Sequence, residues 1–423
     1  MAGGETVKLG CIADDFTGAG DVASVFSSAG LKTRLFVGTP STDDTCSCDV
    51  GVVSLKIRSV DATVAANQAL SAVRWFQGRG VEQFMYKYCS TFDSTPEGNI
   101  GPVLDALSQS IGADRVVVCP AFPDTGRYVF AGHLFVHDQL LSESGMRHHP
   151  LTPMTDSDIR RWLSLQTSER VGHVSHDIVR AGAEEVARAI SALGERYIVV
   201  DATTNEDLLI LSQSLEELPL VSGASGVALA MTKVLGPSTA KRCDNEGIEN
   251  ATGPAVVLSG SCSAATLEQV DFHKCRHPSL DIDVSALMDG SLTCKSAIEF
   301  LLENRERLPI VYSSLSPDRL KLEQNRFGQK QLAARIEEYF GGVARGVISA
   351  GITNLIVAGG ETSGAVVEAL GMSSFEIGPL ITPGVPVLAE TATSRQVVLK
   401  SGNFGGVSFF SDAARIMGAA SDG

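Results

Sequence analysis

The chain has 423 residues, 44% of them hydrophobic and 20% charged, a length that suits two α/β domains of roughly 200 residues better than one core. Its formal net charge of -15 excludes a general nucleic-acid surface, because so acidic a protein repels phosphate backbones. Nine cysteines are scattered along it; only Cys46 and Cys48 lie close, and no C-x-x-C occurs, so zinc and disulfide frameworks are not expected and a reducing, cytoplasmic setting is. The short polar start, residues 1–8, lacks a signal core, and no apolar run is long enough to span a membrane.

In chain order, residues 7–13 read as a buried strand and 21–29 as the helix after it. Strands follow at 31–37 and 50–55, and a helix at 64–77 with apolar positions Val64, Ala65, Leu70, Val73 and Trp75. Further strands are expected at 83–88, 115–119, 197–201 and 219–221. This alternation predicts a largely parallel sheet covered by helices. Residues 236–254 are polar and flanked by turn formers, and read as a linker between a domain at 1–236 and another at 254–423. The strand–turn–helix pattern then resumes at 255–258 into 263–273, and at 355–358 into 363–370.

The first candidate site is Asp14-Asp15-Phe16-Thr17-Gly18-Ala19-Gly20-Asp21, where the first strand meets its helix. Gly18-x-Gly20 superficially resembles a dinucleotide fingerprint. Two carboxylates before the glycines would repel a pyrophosphate, however, and no acidic residue ends the second strand. Asp14 and Asp15 better suit sugar hydroxyls, or general-base work on one of them. Their plainer role is helix capping. The second candidate joins Lys56 and Arg58 to Lys87, Ser90, Thr91, Asp93 and Ser94. Lys and Arg at two strand ends, beside hydroxyls, form the basic pocket that a small anionic substrate needs in an acidic protein. The plainer reading is a polar loop leading into a helix at 99–107. A third loop, residues 119–127, carries two prolines and brings up Arg127, with His133 beyond it.

In the second half, Ser259-Gly260-Ser261-Cys262-Ser263 and Gly359-Gly360-Glu361-Thr362-Ser363 both lead from a strand into a helix. Such turns offer backbone N–H groups and a helix N-terminus to phosphate, although neither is a G-x-x-x-x-G-K-[ST] loop. Gly402-Asn403, after a last strand, supplies a third glycine-rich turn. The residues alone support a two-domain enzyme acting on a small anion with phosphoryl transfer favoured. A nicotinamide-dependent hydroxy-acid dehydrogenase and a non-catalytic sugar-acid binding protein remain as rivals.

These motifs, IADDFTGAGD, KYCSTFDSTPEGNIGP, PAFPDTGRYVFAGHLFV, VLSGSCS, GGETSG and LKSGNFG, together resemble the four-carbon acid sugar kinase family over nearly the whole chain. The resemblance implies an N-terminal substrate domain, a C-terminal ATP-binding domain and an active site in the cleft between them. It puts Asp15, Arg58, Lys87 and residues 90–94 toward substrate, and Ser259, residues 359–362 and Gly402 toward ATP, with Mg²⁺ expected and its ligands unassigned. Many threonate- and erythronate-type members carry a KKxDST-LRGN pattern, where this chain has KYCSTFDST followed by EGN. That form resembles the members acting on 3-oxo-tetronate at its 4-hydroxyl, and GAGD stands where many members have GATD. A homo-oligomer is compatible with the sequence, which identifies no interface.

Overall fold

The structure, a computed structural model, describes residues 7–41, 47–149, 152–236 and 253–419. Cys46 of the close cysteine pair and nearly all of the expected linker lie outside the described residues. The chain divides into two compact units, residues 1–242 and 243–423.

The first unit contains β1 (Leu9–Ala13), β2 (Thr33–Val37), β3 (Val50–Ser54), β4 (Gln83–Lys87), β5 (Val116–Cys119), β6 (Arg127–Phe130), β7 (His133–Val136), β8 (Gln139–Leu140), β9 (Val171–Val174), β10 (Tyr197–Val200) and β11 (Leu220–Gly223). Eight of them lie side by side in the order β2-β3-β1-β4-β11-β5-β10-β9, and every pair of neighbours among them is parallel. Helices cover both faces, which is why β1, β3, β4 and β5 read as near-continuous apolar runs rather than alternating ones. Glycine enters two central strands for one reason: a Cβ at Gly10 or Gly51 would lie 2.7 or 2.6 Å from the Phe76 ring, which lies over both. The remaining strands form the antiparallel sheet β6-β7-β8, attached through a bridge between Val129 and Ala202.

Chain order reverses beside β1. The connection from β1 runs to β2 on one side, and the connection from β4 runs to β5 on the other. Open parallel sheets bind ligands at such a switch point, beyond the carboxyl ends of the strands. Ala13 pairs with both Ser54 and Lys87, so the residues after β1, β3 and β4 emerge side by side there.

The second unit contains β12 (Ala255–Ser259), β13 (Ser279–Asp281), β14 (Ile310–Tyr312), β15 (Asn354–Ala358), β16 (Ser374–Thr382), β17 (Val385–Glu390) and β18 (Gln396–Lys400), ordered β13-β14-β12-β15-β18-β17-β16. The first five are mutually parallel, and β17 and β16 follow them antiparallel. Ser259 pairs with Ala358, and Ala358 with Lys400, so three turns leave adjacent strand ends. Among the described residues no helix is long and apolar enough to cross a membrane.

The sequence reading differs from the structure at the first helix. It runs Phe16–Ser28, five residues earlier than expected, because the Asp15 side chain accepts from Gly18 N and caps it. The Gly18-Ala19-Gly20 stretch is therefore helix rather than turn. The sequence reading also overlooked β6–β8, β9, the β16–β17 hairpin and the helix Gln329–Ser349.

Candidate active site

In the first unit the structure brings together Asp14, Asp15, Thr17, Arg58, Lys87, Thr91 and Asp93. Arg58 grips Asp14 through two parallel bonds, Nε to Oδ2 at 2.9 Å and Nη2 to Oδ1 at 2.8 Å. The same Nη2 lies 3.0 Å from Asp15 Oδ1, and Nη1 lies 3.8 Å from Asp93 Oδ2. Asp15 also accepts from Thr17 Oγ1 at 2.8 Å and from Gly18 N at 3.1 Å. Asp14 is sealed, whereas the Asp15 side chain keeps 25% of its surface exposed. The two neighbouring carboxylates thus have different tasks open to them: Asp14 anchors the guanidinium, and Asp15 reaches solvent.

Their electrostatics separate in the same way. Burial pushes the Asp14 carboxyl above its ordinary range, against the pull of Arg58. Burial also opposes ionisation of Asp15, but the charges of Arg58 and Lys87 and the bonds from Thr17 and Gly18 outweigh it and hold that carboxyl below its usual range. Lys87 is 3% exposed. Burial works against its charge, and Asp15, Asp21 and Asp14 restore it, leaving the ammonium above its ordinary pKa. Among the described residues its Nζ makes no hydrogen bond and no ion pair within 4 Å. A Cβ on Gly18 would stand 2.3 Å from Asp15 Oδ1 and 2.5 Å from Lys87 Nζ, so Gly18 serves close approach of these two groups. That arrangement does not favour the dinucleotide reading, which needs the glycines to face a pyrophosphate.

The strand-end loops are braced by residues that sequence reasoning missed. Asn99 stands at the start of the helix Ile100–Ile111, yet its amide crosses to Ile57 O at 2.7 Å and Val60 O at 2.8 Å, tying down the loop that carries Arg58. Asp21 is buried, accepts from Ser225 Oγ at 2.5 Å, and keeps Oδ1 without a hydrogen-bond partner among the described residues. Phe92, fully buried, adopts φ 54, a left-handed conformation that costs a bulky residue energy and is held by its surroundings. Thr91 Oγ1 donates to Asp93 Oδ1 at 2.5 Å, and burial pushes the Cys89 thiol up to about 12, which removes it as a nucleophile.

Other expected substrate residues stand apart. Ser94 Oγ faces inward, receiving Trp162 Nε1 at 3.1 Å and Gln166 Nε2 at 2.9 Å. Lys56 shares the loop of Arg58 with an exposed side chain, and Ser90 lies half-buried in the turn after β4. Arg127 opens β6 and donates to Thr125 O in its own loop, its buried Nε having no acceptor among the described residues. His133 contacts its own loop through Ala131 O.

In the second unit, the turns after β12, β15 and β18 interlock through glycine. A Cβ on Gly260 would lie 2.1 Å from Thr362 Oγ1, one on Gly359 3.2 Å from Ser261 N, and one on Gly402 2.7 Å from Ser261 Oγ. Gly359 itself sits at φ 119, a conformation that favours glycine. Gly360, Glu361, Thr362 and Ser363 form the first turn of the helix Gly360–Ala369. Ser259 is fully buried and its hydroxyl meets Ser314 Oγ at 3.1 Å, so it shapes the turn from beneath. Asn403 is exposed. Gly260 N and Gly359 N are taken by Ala358 O and Lys400 O, so what these turns offer a polyphosphate is the helix N-termini that follow them and the remaining amides of the turns. Among the described residues no cluster of three or more His, Cys, Asp or Glu is arranged to hold a metal ion.

Residues 9–231 match the sugar-binding N-terminal domain family, and residues 256–410 the nucleotide-binding C-terminal domain family. The 3-oxo-tetronate kinase of Burkholderia multivorans is 42% identical over 97% of this chain and 98% of its own length. That of Cupriavidus necator is 43% identical over 97% of both chains. A crystal structure from Salmonella typhimurium LT2 is 39% identical, with a TM-score of 0.85 over 97% of this chain and 99% of that one. The chain belongs to the four-carbon acid sugar kinase family.

Proposed function

We propose that this protein transfers the γ-phosphoryl group of MgATP to the 4-hydroxyl of 3-oxo-tetronate, giving 3-oxo-tetronate 4-phosphate and MgADP. The observation that carries the reading is the asymmetric carboxylate pair at the switch point. Asp14 is locked to Arg58, and Asp15 is ionised and open to solvent beside the buried Lys87. The relatives acting on 3-oxo-tetronate, matched along their full length, support this acceptor over threonate or erythronate.

In this mechanism the O4 oxygen attacks the γ-phosphorus in line as the bond to the β–γ bridging oxygen breaks. The O4 proton passes to Asp15. A carboxylate held below its usual pKa suffices, because the acceptor proton becomes acidic only as the loose transition state forms. Lys87 is the cation for the acid's carboxylate, since Arg58 already uses Nε and Nη2 on Asp14. Asp14, Asp15, Asp21 and Asp93 outnumber Arg58 and Lys87. Burial raises the pKa of Asp14 and of Asp21, which eases that surplus. Thr91 and Asp93 offer hydrogen bonds to sugar hydroxyls. The amides of Ser261, of Gly360 and Thr362 in the first helical turn, and of Gly402 and Asn403 face the triphosphate, while those of Gly260, Gly359 and Ser363 hold the turns together through Ala358 O, Lys400 O and Gly359 O. Mg²⁺ enters with the nucleotide, needing at most one or two protein carboxylates.

An ATP-consumption assay against 3-oxo-tetronate, threonate and erythronate tests this, with ³¹P NMR locating the phosphate on the product. Turnover with 3-oxo-tetronate and a phosphate on C4 is expected. ATP consumption with threonate alone, or phosphate on another carbon, would overturn the acceptor.

A further inference from the structure

The turn after β18 has its carbonyls drawn inward. Gly402 O accepts from Ser263 Oγ at 2.6 Å, Thr266 Oγ1 at 2.8 Å and Lys400 Nζ at 3.0 Å, and Ser401 O accepts from Lys400 Nζ at 3.1 Å. A single amide, Gln269 Nε2, then donates to the carbonyls of Phe404, Gly405 and Gly406 at 2.9, 3.0 and 3.1 Å. The N–H of a trans peptide points opposite to its carbonyl. Holding these five carbonyls on the buried side therefore turns the N–H groups of Gly402, Asn403, Gly405, Gly406 and Val407 the other way. Asn403, Gly406 and Val407 are exposed. Successive outward amides of this kind form an anion-binding concavity.

Lys400 is the anomaly beneath this turn. It is 0% exposed and its third partner is a hydroxyl, Thr266 Oγ1 at 2.9 Å. No carboxylate lies within 4 Å among the described residues. A buried ammonium satisfied only by neutral oxygens keeps its charge uncompensated, which is costly. An anion bound above the turn would supply the missing charge. We propose that Lys400 is a positioning residue for the nucleotide: it fixes the 401–402 carbonyls inward, aims the amides of the turn at phosphate, and places a positive charge beneath them. This rests on the reading that the second unit binds MgATP.

Burial alone pushes the Lys400 ammonium down to about 7. The groups facing it, Thr266, the two carbonyls and the Phe409 ring 5.7 Å away, do not titrate. On the helices that supply Thr266 and Phe409, Asp271 pairs with Lys274 and Asp412 with Arg415, while burial pushes the His273 imidazole down to about 4, so that it is neutral near pH 7. Glu268 is the remaining charged side chain of the first of these helices, and it makes no ion pair with Lys400. A bound polyphosphate favours the charged lysine, so binding should weaken as pH rises through 7 and should take up a proton.

The test is calorimetric titration of MgATP into the full chain, the Lys400→Met variant and the Lys400→Arg variant, with thermal melts and sugar-acid titrations alongside. Lys400→Met should melt no lower than wild type, bind the sugar acid normally, and bind MgATP about 10–100-fold more weakly. Between about pH 6.5 and about pH 8.5, wild-type affinity should fall on the order of tenfold, and that of Lys400→Arg should stay level. A purely structural lysine predicts a lower melting temperature and unchanged nucleotide affinity. MgATP affinity within about twofold of wild type in Lys400→Met overturns the proposal. If that variant fails to fold, a flat wild-type pH profile overturns it instead. A wild-type chain that binds no MgATP at any pH overturns the nucleotide reading of the unit itself, and this inference with it.

Discussion

The two units end their central strands in opposite chemistries. Beyond β1, β3 and β4 stand charged side chains: Asp14, Asp15, Arg58 and Lys87, packed so that each sets the ionisation of the next. Beyond β12, β15 and β18 stand glycines and hydroxyls, with a buried cation, Lys400, underneath the backbone. The difference follows from what each would hold. A small acceptor offers few atoms, so selectivity and proton removal need side chains at defined positions. A triphosphate offers many equivalent oxygens, which amides and helix N-termini bind without titrating.

The largest expected effect breaks the first unit alone. Asp15→Asn should still cap Gly18 N, and so should keep the helix Phe16–Ser28. Turnover should fall by a factor of about 10²–10⁴ while affinity for the sugar acid changes little. Steady-state kinetics with a parallel binding titration separates the two. Near-normal turnover would remove Asp15 as the base and return the role to Asp14, which would first have to release Arg58.

Next comes a change in the second unit. In Gly260→Ala the added methyl meets Thr362 Oγ1 at 2.1 Å, closer than any side chain tolerates. The turns after β12 and β15 must separate, at a cost of about 1–3 kcal/mol. KM for ATP should rise on the order of tenfold, with sugar-acid binding unchanged. Equal loss for both ligands would mean that the contrast between the units is not functional.

These two positions also mark how far the sequence could be read. Apolar runs closed by Gly, Ser and Asp gave away the strands, because a sheet covered on both faces needs such runs. Gly18, Gly260 and Gly402 stood out, but as turn formers. Their actual use, close approach to Lys87, Thr362 and Ser261, depends on neighbours far away in the chain. Asn99, Asp21, Gln269 and Lys400 were passed over for the same reason. Each acts on a group at least 39 residues distant or on a turn whose orientation only the fold sets. The antiparallel β6–β8 and β16–β17 pieces were missed because short, half-exposed strands carry little periodicity.

Asn99→Ala sharpens the comparison from the side of Arg58. Loss of its two bonds leaves the buried Ile57 carbonyl without this donor and frees the part-buried Val60 carbonyl, at a cost of about 1–3 kcal/mol in stability. The loop bearing Arg58 should loosen, raising KM for the sugar acid several-fold and leaving that for ATP alone. Denaturant melts and two-substrate kinetics check both. An equal shift in the two KM values would show that Asn99 supports the fold generally rather than this loop.

The last effect to separate the units is a pH dependence of stability set by Lys400. Its ammonium ionises at about 7 in the folded protein, against an ordinary value near 10.4 in the unfolded chain. Between those values the unfolded chain binds the additional proton, so this residue makes stability rise with pH from about 7 toward 10. Below about 7 both states are protonated, and the full cost of the buried charge is present. Lys400→Met removes that cost. Its gain in melting temperature should therefore be greatest at acid pH and shrink as the solution becomes alkaline, whereas Asp15→Asn should produce no such convergence with wild type. The paired melts across this range ask whether the second unit sacrifices stability to keep a charge that only its ligand neutralises. A Lys400→Met gain that is independent of pH would locate the cost in packing, and the charge beneath the turn would then need another explanation.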